Sequence, residues 1–299
     1  MRDNKGREGE QAAVRGEMNL QAALTTFGLT HPCELTRTGI AELWRVRGPQ
    51  GQDWVLKLYH GQSMGNETQG VALMRAWGNV SSTHVPCIHG QIKNALVMDF
   101  LPGKTLGDGL RNGDWRANKD LGVFARDLHS LPLPPMPNIP ILEEWFALLF
   151  ELHISPDCPA DFKHDMGKAQ NLARHLLGTQ TDVRPLHGDL HHDNVFYADQ
   201  GFRTIDAKGV IAEPAYELAN AMRNPKGCGG DLRNVGLQKE RLRWFSQSLQ
   251  VDQKRLAQWA TAKCAWSIAL RAKGTQKADP VSLGEADLLK LLLRLVDEA

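Results

Sequence analysis

The sequence lacks an excess of either charge. Its 35 lysine and arginine residues face 34 aspartate and glutamate residues, which leaves a formal net charge of +1. Proteins that bind nucleic acid or an anionic membrane surface usually carry a marked basic excess. The charge balance therefore gives no reason to expect either partner.

Long apolar runs and paired cysteines are also missing. No uninterrupted apolar run approaches the roughly 20 residues that span a bilayer, so no membrane segment is expected. The five cysteines are far apart, and none lies at the Cys-x-x-Cys spacing that is typical of zinc clusters. An odd, scattered set of cysteines favours reduced thiols and a cytoplasmic location.

Residues 1–17 are polar and charged, and they contain no apolar stretch of the kind found in signal peptides. We expect them to form a disordered tail, with the folded unit starting at residue 18. The chain of 299 residues is long enough for one large domain or for two lobes.

The region before residue 101 contains several short strand-like runs that are separated by turns with glycine. The predicted strands span 33–38, 43–47, 54–59 and 95–100. Short strands with tight connections indicate an antiparallel sheet. A helix is predicted over 66–77, where apolar residues recur at helical spacing and Gly78 follows.

A Pro-Gly pair at 102–103 interrupts this pattern, and the sequence after it is mainly helical. Predicted helices cover 117–131, 141–152, 166–177, 215–222 and a stretch that starts at Asp252. The change of pattern predicts a small sheet-containing lobe at 18–101 and a larger helical lobe at 102–299. We therefore expect an α+β class.

Two apolar runs flank a polar turn at 187–194. Asp189 and Asn194 are separated by four residues, and Asp206 follows twelve residues beyond Asn194, at the end of the next apolar run. Magnesium-dependent phosphoryl transfer uses one carboxylate to orient an attacking hydroxyl and to accept its proton. An amide and a second carboxylate hold Mg²⁺ on the nucleotide phosphates. The spacing predicts Asp189 as the catalytic base, with Asn194 and Asp206 as metal ligands.

Two other interpretations of this stretch stay open. Aspartate and asparagine commonly form turns, although the preceding His-Gly pair and the later strand-ending carboxylate argue against a plain turn. A second metal hypothesis uses imidazole ligands and involves His187, His191, His192 and Asp193. Consecutive histidines point to opposite faces of an extended chain, which argues against that site. We favour a structural role for His187, in bonding backbone carbonyls around the loop.

The segment His187–Asn194 resembles the Brenner-type loop of the aminoglycoside phosphotransferase-like kinases. The continuation Ile205–Asn220, which leads into Arg223-Asn224-Pro225, is similar to the streptomycin and hydroxyurea phosphotransferase branch. The loop alone is shared with choline, homoserine, fructosamine and methylthioribose kinases, so the continuation is the more specific part. Clear resemblance covers 186–225, with weaker similarity over 35–106. It implies a two-lobed, protein-kinase-like fold.

The resemblance also implies an ATP site in the sheet-containing lobe. Lys57 matches the strand lysine that contacts the α- and β-phosphates, and Glu67 is its expected partner. A buried lysine without a counter-charge tends to lose its proton, so a nearby carboxylate is physically required. The alternative for Lys57 is an edge-strand lysine that deters aggregation. Around Asp99 and Leu101 the sequence resembles the hinge, whose backbone groups bond adenine. The implied cofactors are ATP and Mg²⁺.

Two parts of this pattern stay open. The phosphate-covering loop at 37–42 has a single glycine, which weakens the prediction of ATP and leaves GTP as an alternative. Lys208 follows Asp206 by two residues. It is placed either to touch the transferring phosphate or to pair with Glu213.

The acceptor is expected to be a small molecule with a hydroxyl group, and the resemblance points to a streptomycin-like aminoglycoside or to hydroxyurea. In the resembled fold, the region 143–165 borders the acceptor pocket, and acidic residues there would suit a polycation. The acidic residues are Glu143, Glu144, Glu151, Asp157, Asp161 and Asp165. A solvated helix face explains them equally well, and the last third of the chain is basic.

Other classes stay open, namely a metabolite kinase of the same superfamily and a nucleotide-binding pseudokinase without turnover. A protein kinase is disfavoured because no Ala-Pro-Glu signature follows Asp206. Only the short stretch 208–212 separates Asp206 from Glu213-Pro214, which leaves little room to seat a peptide. We expect a monomer or a homodimer.

Overall fold

The computed structural model describes residues 18–136, 138–279 and 283–299. The tail predicted at 1–17 lies outside the described residues. A five-stranded sheet precedes residue 100 and most of the helices follow it, which confirms the α+β class. The boundary between two lobes after residue 101 stays a prediction.

The N-terminal part is built on one antiparallel sheet. Its strands are β1 (Thr30–Arg37), β2 (Ala41–Arg47), β3 (Asp53–Tyr59), β4 (Ile88–Ile92) and β5 (Ala95–Asp99). They lie in the order β1-β2-β3-β5-β4, and every neighbouring pair is antiparallel, as predicted. The sequence pattern missed β4 because most of that strand is exposed or only half-buried.

Alternation along β3 separates the two faces of the sheet. Leu56 and Leu58 join a hydrophobic cluster with the first helix, α1 (Leu20–Phe27). Val55 and Tyr59 belong to the main core on the other face. Because side chains alternate in a strand, the lysine between the two leucines points to that core face.

The second helix, α2 (Thr68–Val80), runs past Gly78, the residue that was predicted to end it. Trp77 is 1% exposed, and its packing fixes the last turn of the helix. This burial outweighs the cost of about 0.5–1 kcal/mol for a glycine inside a helix. A 3₁₀ turn, Gly65–Glu67, precedes α2, so the α-helix also begins later than residue 66.

The C-terminal part is mainly helical, as predicted. Its helices are α3 (Leu106–Arg111), α4 (Arg116–His129), α5 (Leu142–Phe150), α6 (Ala160–Gly178), α7 (Gly229–Leu232), α8 (Val235–Leu249), α9 (Gln253–Ala272) and α10 (Ala286–Glu298). Asp252 caps α9 by accepting a hydrogen bond from the backbone of Arg255, as expected for a helix start. Within the described ranges, no helix is both long and apolar enough to cross a membrane.

Short strand pairs lie among these helices. They are β6 (His153–Ile154) with β11 (Thr275–Gln276), β7 (Arg184–Leu186) with β10 (Val210–Ala212), and β8 (Val195–Ala198) with β9 (Gly201–Thr204). The polar turn at 187–194 therefore leaves β7 and enters the β8–β9 hairpin. Both ends of the turn are held by strand pairing.

The helix predicted over 215–222 is wrong. Two 3₁₀ turns, Pro214–Tyr216 and Asn220–Arg223, occupy this segment instead. The backbone bonds of this segment span three residues instead of four, as from the N–H of Glu217 to the carbonyl of Pro214 and from that of Ala221 to Leu218. The carbonyl of Ala221 accepts from the backbone N–H of Asn224 at 3.0 Å and from the side chain of Arg241 at 2.5 Å.

The helix α2 touches the loop that follows β9. A Cβ on Gly70 would lie 1.6 Å from the carbonyl oxygen of Ala207. Gly209 has a φ of +72°, and a Cβ there would lie 3.1 Å from the helix backbone. These two glycines let the helix that follows Glu67 sit directly against the loop that follows Asp206.

We expect Gly70→Ala to lower the free energy of unfolding by roughly 3 kcal/mol or more, because the backbone atoms that the methyl group meets cannot rotate away. Gly167→Ala is the matched control, since Gly167 also lies inside a helix but has open space around it. This control should be neutral or stabilising by up to about 1 kcal/mol. Urea denaturation measures both variants, and equal stabilities would contradict the close contact.

Candidate active site

The turn that carries Asp189 is held in place by the buried carboxylate of Glu217. The backbone N–H groups of His187 and Gly188 donate to the two oxygens of Glu217 at 3.0 and 3.1 Å. His129 also contacts Glu217, at 2.9 Å. Burial alone would raise the pKa of Glu217, but His129 and the backbone donors hold it below its usual value. An ionised anchor therefore sets the position of the turn.

His187 joins this turn to the neighbouring hairpin. Its Nε2 lies 3.0 Å from the carbonyl of Ile205 and 2.9 Å from the hydroxyl of Thr204. Burial lowers the pKa of His187, which favours the neutral ring. The contact with a loop carbonyl confirms the structural role that the sequence suggested.

The rival imidazole metal site does not assemble. His192 bonds to Asn118 at 3.0 Å, and Asp193 accepts from Arg111 at 2.8 Å, so these side chains point to separate partners. In the part of the chain that the structure describes, no three His, Cys, Asp or Glu side chains converge as metal ligands would.

Asp189 is half-buried at the edge of a cavity, with one carboxylate oxygen held in place. The side-chain amide of Asn220 donates to its Oδ1 at 2.6 Å. This bond fixes the rotamer of Asp189 and leaves the other oxygen available to an acceptor hydroxyl. The geometry suits a base that must be aimed before it accepts a proton.

Asn194 and Asp206 lie close together across the β8–β9 hairpin. The amide nitrogen of Asn194 donates to the carbonyl of Asp189 at 2.9 Å, which directs its amide oxygen elsewhere. The backbone N–H of Ile205 donates to the carbonyl of Asn194 at 3.0 Å, so the two predicted ligands are near neighbours. Amide and carboxylate oxygens are the ligands that Mg²⁺ prefers, and the donor set therefore fits that ion.

Asp206 has a left-handed backbone, with a φ of +60°. Such a conformation is uncommon outside glycine and is frequent at functional sites. Burial alone would raise the pKa of its carboxyl group, but the nearby Lys57 and Lys208 hold the pKa below its ordinary value. Asp206 is therefore ionised, as a metal ligand must be.

Glu67 is the centre of the cationic side of the site. Its carboxylate accepts from Lys57 at 2.6 Å, from Lys208 at 2.6 Å and from the hydroxyl of Tyr59 at 2.5 Å. Lys57 also lies 2.9 Å from Asp206, and both Lys57 and Glu67 are 2% exposed. Burial would lower the pKa of Lys57, but Asp206 and Glu67 outweigh this effect and hold the pKa above its ordinary value, so the lysine stays charged. The predicted Lys57–Glu67 contact is therefore present.

Lys208 does not pair with Glu213, one of the two partners considered from the sequence, and its contact with the transferring phosphate stays a prediction. It pairs with Glu67, and Glu213 lies with Arg255 at 2.6 Å and with the indole N–H of Trp259 instead. The pairing with Glu213 was wrong because the chain turns at Gly209 and sends the two side chains to different sides of the loop.

The two residues that were assigned to the hinge differ in their surroundings. The backbone N–H of Asp99 already donates to Cys87 at 3.0 Å, and its carboxylate contacts His89 at 2.7 Å. Among the described residues, none bonds to the backbone N–H of Leu101. Of these two N–H groups, that of Leu101 is therefore the one open to a nucleotide base.

The turn between β1 and β2 is closed by its own side chain. The hydroxyl of Thr38 accepts from the backbone N–H groups of Ile40 and Ala41 at 3.3 and 3.1 Å. These N–H groups are therefore not free to bind phosphate in this conformation. The turn therefore lacks the free backbone donors of a glycine-rich loop, and Lys57 is a buried cation on the same sheet.

A cavity of about 370 Å³ opens beside Asp189. Residues from several distant segments line it, among them Trp145, Asp189, Lys208, Asn220, Arg223, Lys263 and Trp266. This cavity is the place where an acceptor hydroxyl can approach the predicted base. Its volume is that of a small-molecule site.

The expectation that acidic residues border the acceptor site is wrong for this cavity. Its described lining contains none of the six carboxylates between 143 and 165. The helix α5 buries Leu142, Phe146 and Leu149, which turns Glu143 and Glu144 toward solvent. The solvated-face interpretation is correct for that helix.

Sequence reasoning missed several residues that shape the site. Glu217 and Asn220 are three residues apart, so they share one side of their segment, and polar residues within an apolar run were the signal that could have found them. Trp145, Lys263 and Trp266 gave no such signal, because indoles and a lysine on amphipathic helices usually belong to the core or the surface.

Comparisons with known proteins agree with this arrangement. A family model described as aminoglycoside/hydroxyurea antibiotic resistance kinase matches residues 27–274. Streptomycin 3''-kinase of Klebsiella pneumoniae is 32% identical over 166 residues, and streptomycin 6-kinase of Streptomyces griseus is 28% identical over 198 residues. The matches cover 54% and 64% of this chain, but only 58% and 62% of those two relatives.

Solved structures share the fold. The amicoumacin kinase hAmiN, in complex with AMP-PNP, Ca²⁺ and Ami, superposes with a TM-score of 0.67 at 14% identity, covering 97% of this chain and 96% of that one. An ethanolamine kinase of Plasmodium vivax gives a TM-score of 0.61 at 16% identity, covering 91% and 83%. The predicted protein-kinase-like fold is thereby confirmed.

We expect Glu217→Gln to lower the free energy of unfolding at pH 7 by about 2–4 kcal/mol, because it removes the charge that the turn and His129 bind. The pKa of Glu217 is lowered in the folded state, so this stabilisation is present above the unfolded pKa near 4.5 and is lost as the pH falls below it. Denaturation at pH 7 and at pH 4 measures the change.

The difference between wild type and Glu217→Gln should therefore shrink at the lower pH. Glu144→Gln, at an exposed position, is the control and should change stability little at either pH. A difference that is the same at both pH values would show that the charge of Glu217 does not hold the turn.

Proposed function

The chain belongs to the aminoglycoside/hydroxyurea antibiotic resistance kinase family, and we propose that it transfers the γ-phosphoryl group of ATP, with Mg²⁺, to a hydroxyl of a small molecule. One observation carries the proposal. A fixed carboxylate, Asp189, is joined by a chain of short contacts to Asn194, whose amide donates to its carbonyl, and Asp206, beside Asn194, contacts the buried cation Lys57. These are the parts that phosphoryl transfer requires.

On the acceptor side, Asp189 orients the hydroxyl and accepts its proton as the new O–P bond forms. Asn220 keeps the carboxylate in one rotamer, and Glu217 keeps the turn in place through two backbone bonds. Phosphoryl transfer leaves little covalent work for the protein, so this positioning is the main contribution of the turn.

On the nucleotide side, Lys57 binds the phosphates and Glu67 holds Lys57 in position. Asn194 and Asp206 would hold Mg²⁺, which neutralises charge that develops on the phosphates. The free backbone N–H of Leu101 binds the base. The short β1–β2 turn adds little to phosphate binding, because the side chain of Thr38 occupies its backbone N–H groups. Lys57, held by Glu67, therefore supplies the main contact with the phosphates.

The names of two relatives and the description of the family suggest the first acceptors to test, namely streptomycin and hydroxyurea. A metabolite kinase of the same superfamily uses the same chemistry, so common hydroxylated metabolites belong in the same screen. A cytoplasmic location is part of the proposal, since all five cysteines are free thiols.

We expect ATP with Mg²⁺ to raise the midpoint of thermal unfolding, because a ligand that binds only the folded state stabilises it by mass action. GTP in parallel identifies the nucleotide. We also expect slow hydrolysis of ATP, accelerated by an accepted hydroxyl compound. Release of ADP and thermal shifts measure both effects.

Asp189→Asn should reduce kcat by about 10²–10⁴-fold, since the base is lost while the shape of the site is kept. Asp297→Asn, on the exposed side of α10, is the matched control. Nucleotide binding without turnover by the wild type would favour a pseudokinase. An Asp189→Asn variant that keeps its kcat would show that the base is misassigned.

A further inference from the structure

The cavity beside Asp189 has a positive lining. Four cationic side chains face it, and Asp189 is the carboxylate among its described lining residues. The cations are Lys208, Arg223, Lys226 and Lys263. A polycationic acceptor would meet like charges over most of this surface, whereas an anionic group would meet opposite charges.

Two of these cations already have partners. Lys208 pairs with Glu67 at 2.6 Å, and Arg223 donates to both oxygens of Glu285, at 3.2 and 2.5 Å. Their charges are therefore largely compensated within the protein. They shape the cavity but do not require a ligand.

Lys263 differs from both of them. It is 3% exposed, and no carboxylate of the described residues lies within ion-pair distance of it. Its ammonium group lies 3.8 Å from the centroid of the Trp266 ring, with the rings of Trp145 and Tyr216 at 5.5 and 5.7 Å. An aromatic cage places the amine at the cavity wall but supplies no counter-ion. A buried lysine without a counter-charge tends to lose its proton, and a ligand anion that met it would stabilise the charged form.

The same cage supplies an apolar wall. The indoles of Trp145 and Trp266 are stacked at 6.2 Å, and the Trp266 N–H donates to the backbone of Trp145 at 2.7 Å. A Cβ on Gly188 would lie 3.0 Å from Trp145, so this wall stands directly beside the catalytic turn. A ring-shaped acceptor is able to stack on the wall while its hydroxyl reaches Asp189.

We propose that this cavity selects a ring-shaped hydroxylated acceptor that carries an anionic group, carboxylate or phosphate, and that Lys263 binds this group. The inference rests on the proposed kinase function and names the acceptor class for the same site; of the acceptors to be screened, it predicts that a polycation such as streptomycin is a poor one. Lys226 also lines the cavity, is exposed to solvent and has no carboxylate partner among the described residues. Its charge adds to the attraction for an anionic acceptor.

The test is calorimetric binding of matched pyranoses to the full chain. Glucuronate and glucose 6-phosphate are anionic, glucose is neutral and glucosamine is cationic, so the four differ mainly in charge. We expect at least one anionic sugar to bind about tenfold or more tightly than glucosamine, with glucose between them. The tighter of the two anionic sugars distinguishes carboxylate from phosphate.

Variants assign this preference to Lys263. In Lys263→Met the preference for the anionic sugar should fall to within about threefold, and in Lys226→Met it should fall by less. Lys290→Met is the control, because Lys290 is a largely exposed surface lysine, and it should keep the full preference. Glucosamine binding as tightly as the anionic sugars, or a preference that survives in Lys263→Met, would overturn the proposal.

The pH dependence gives a second readout. Burial lowers the pKa of Lys263 to about 7, with Arg223 and Lys208 lowering it further and Asp189 opposing them. Affinity for the anionic sugar should therefore fall above about pH 7 in the wild type and stay flat in Lys263→Met. Because burial opposes the charged lysine, Lys263→Met should fold with an unfolding midpoint no lower than that of the wild type.

Thermal stabilisation by ATP with Mg²⁺ is measured on the same preparation and needs no acceptor. If nucleotide stabilises the chain but the anionic preference is absent, the acceptor class is wrong and the kinase proposal stands. If the anionic preference is present without any response to nucleotide, the kinase proposal fails instead. A wild type that binds no anionic sugar contradicts the inference directly.

Discussion

The contact between Glu67 and Lys57 is the interaction on which the nucleotide side of the site depends. A lysine that is 2% exposed keeps its charge only because carboxylates surround it. Glu67 also binds Lys208, which comes from a loop 141 residues later in the chain. One buried carboxylate thus joins the sheet, the start of α2 and the loop that carries Asp206.

The acceptor side is built on a different anchor. Glu217 holds the turn of Asp189 through backbone bonds, and His187 ties that turn to the strand that leads to Asp206. Both anchors are buried carboxylates that accept several hydrogen bonds each. The structure therefore uses two buried carboxylates to fix loops. The proposed phosphoryl transfer requires fixed loops because it relies on positioning.

Several parts of the site could be predicted from the sequence because each depends on short-range chemistry. The turn at 187–194 and the strand-ending Asp206 followed from spacing. Lys57 and Glu67 followed from the family resemblance, and the cost of burying a lone cation required a carboxylate beside the lysine. The helix at 215–222 failed because periodicity does not reveal that Glu217 and Asn220 bond to the turn of Asp189, or that the backbone between them makes three-residue bonds.

The acceptor cavity could not be predicted, since its lining comes from segments that are far apart in the chain. The sequence showed Glu143 and Glu144 but not that they lie on the solvent face of α5. It also gave no reason to bring Lys263 beside Asp189. Charges on helices are informative about a site only when the packing of those helices is known.

A double-mutant cycle on the affinity for ATP with Mg²⁺ tests the central claim most directly. Calorimetry on wild type, Lys57→Met, Glu67→Gln and the double variant gives the coupling between the two side chains. We expect each single variant to weaken binding and the double variant to bind no worse than the weaker single one, with a coupling of about 1.4 kcal/mol or more. If the losses of binding free energy in the two single variants add to that of the double variant within about 0.5 kcal/mol, Lys57 and Glu67 do not act together. A wild type that does not bind the nucleotide would also contradict their proposed role.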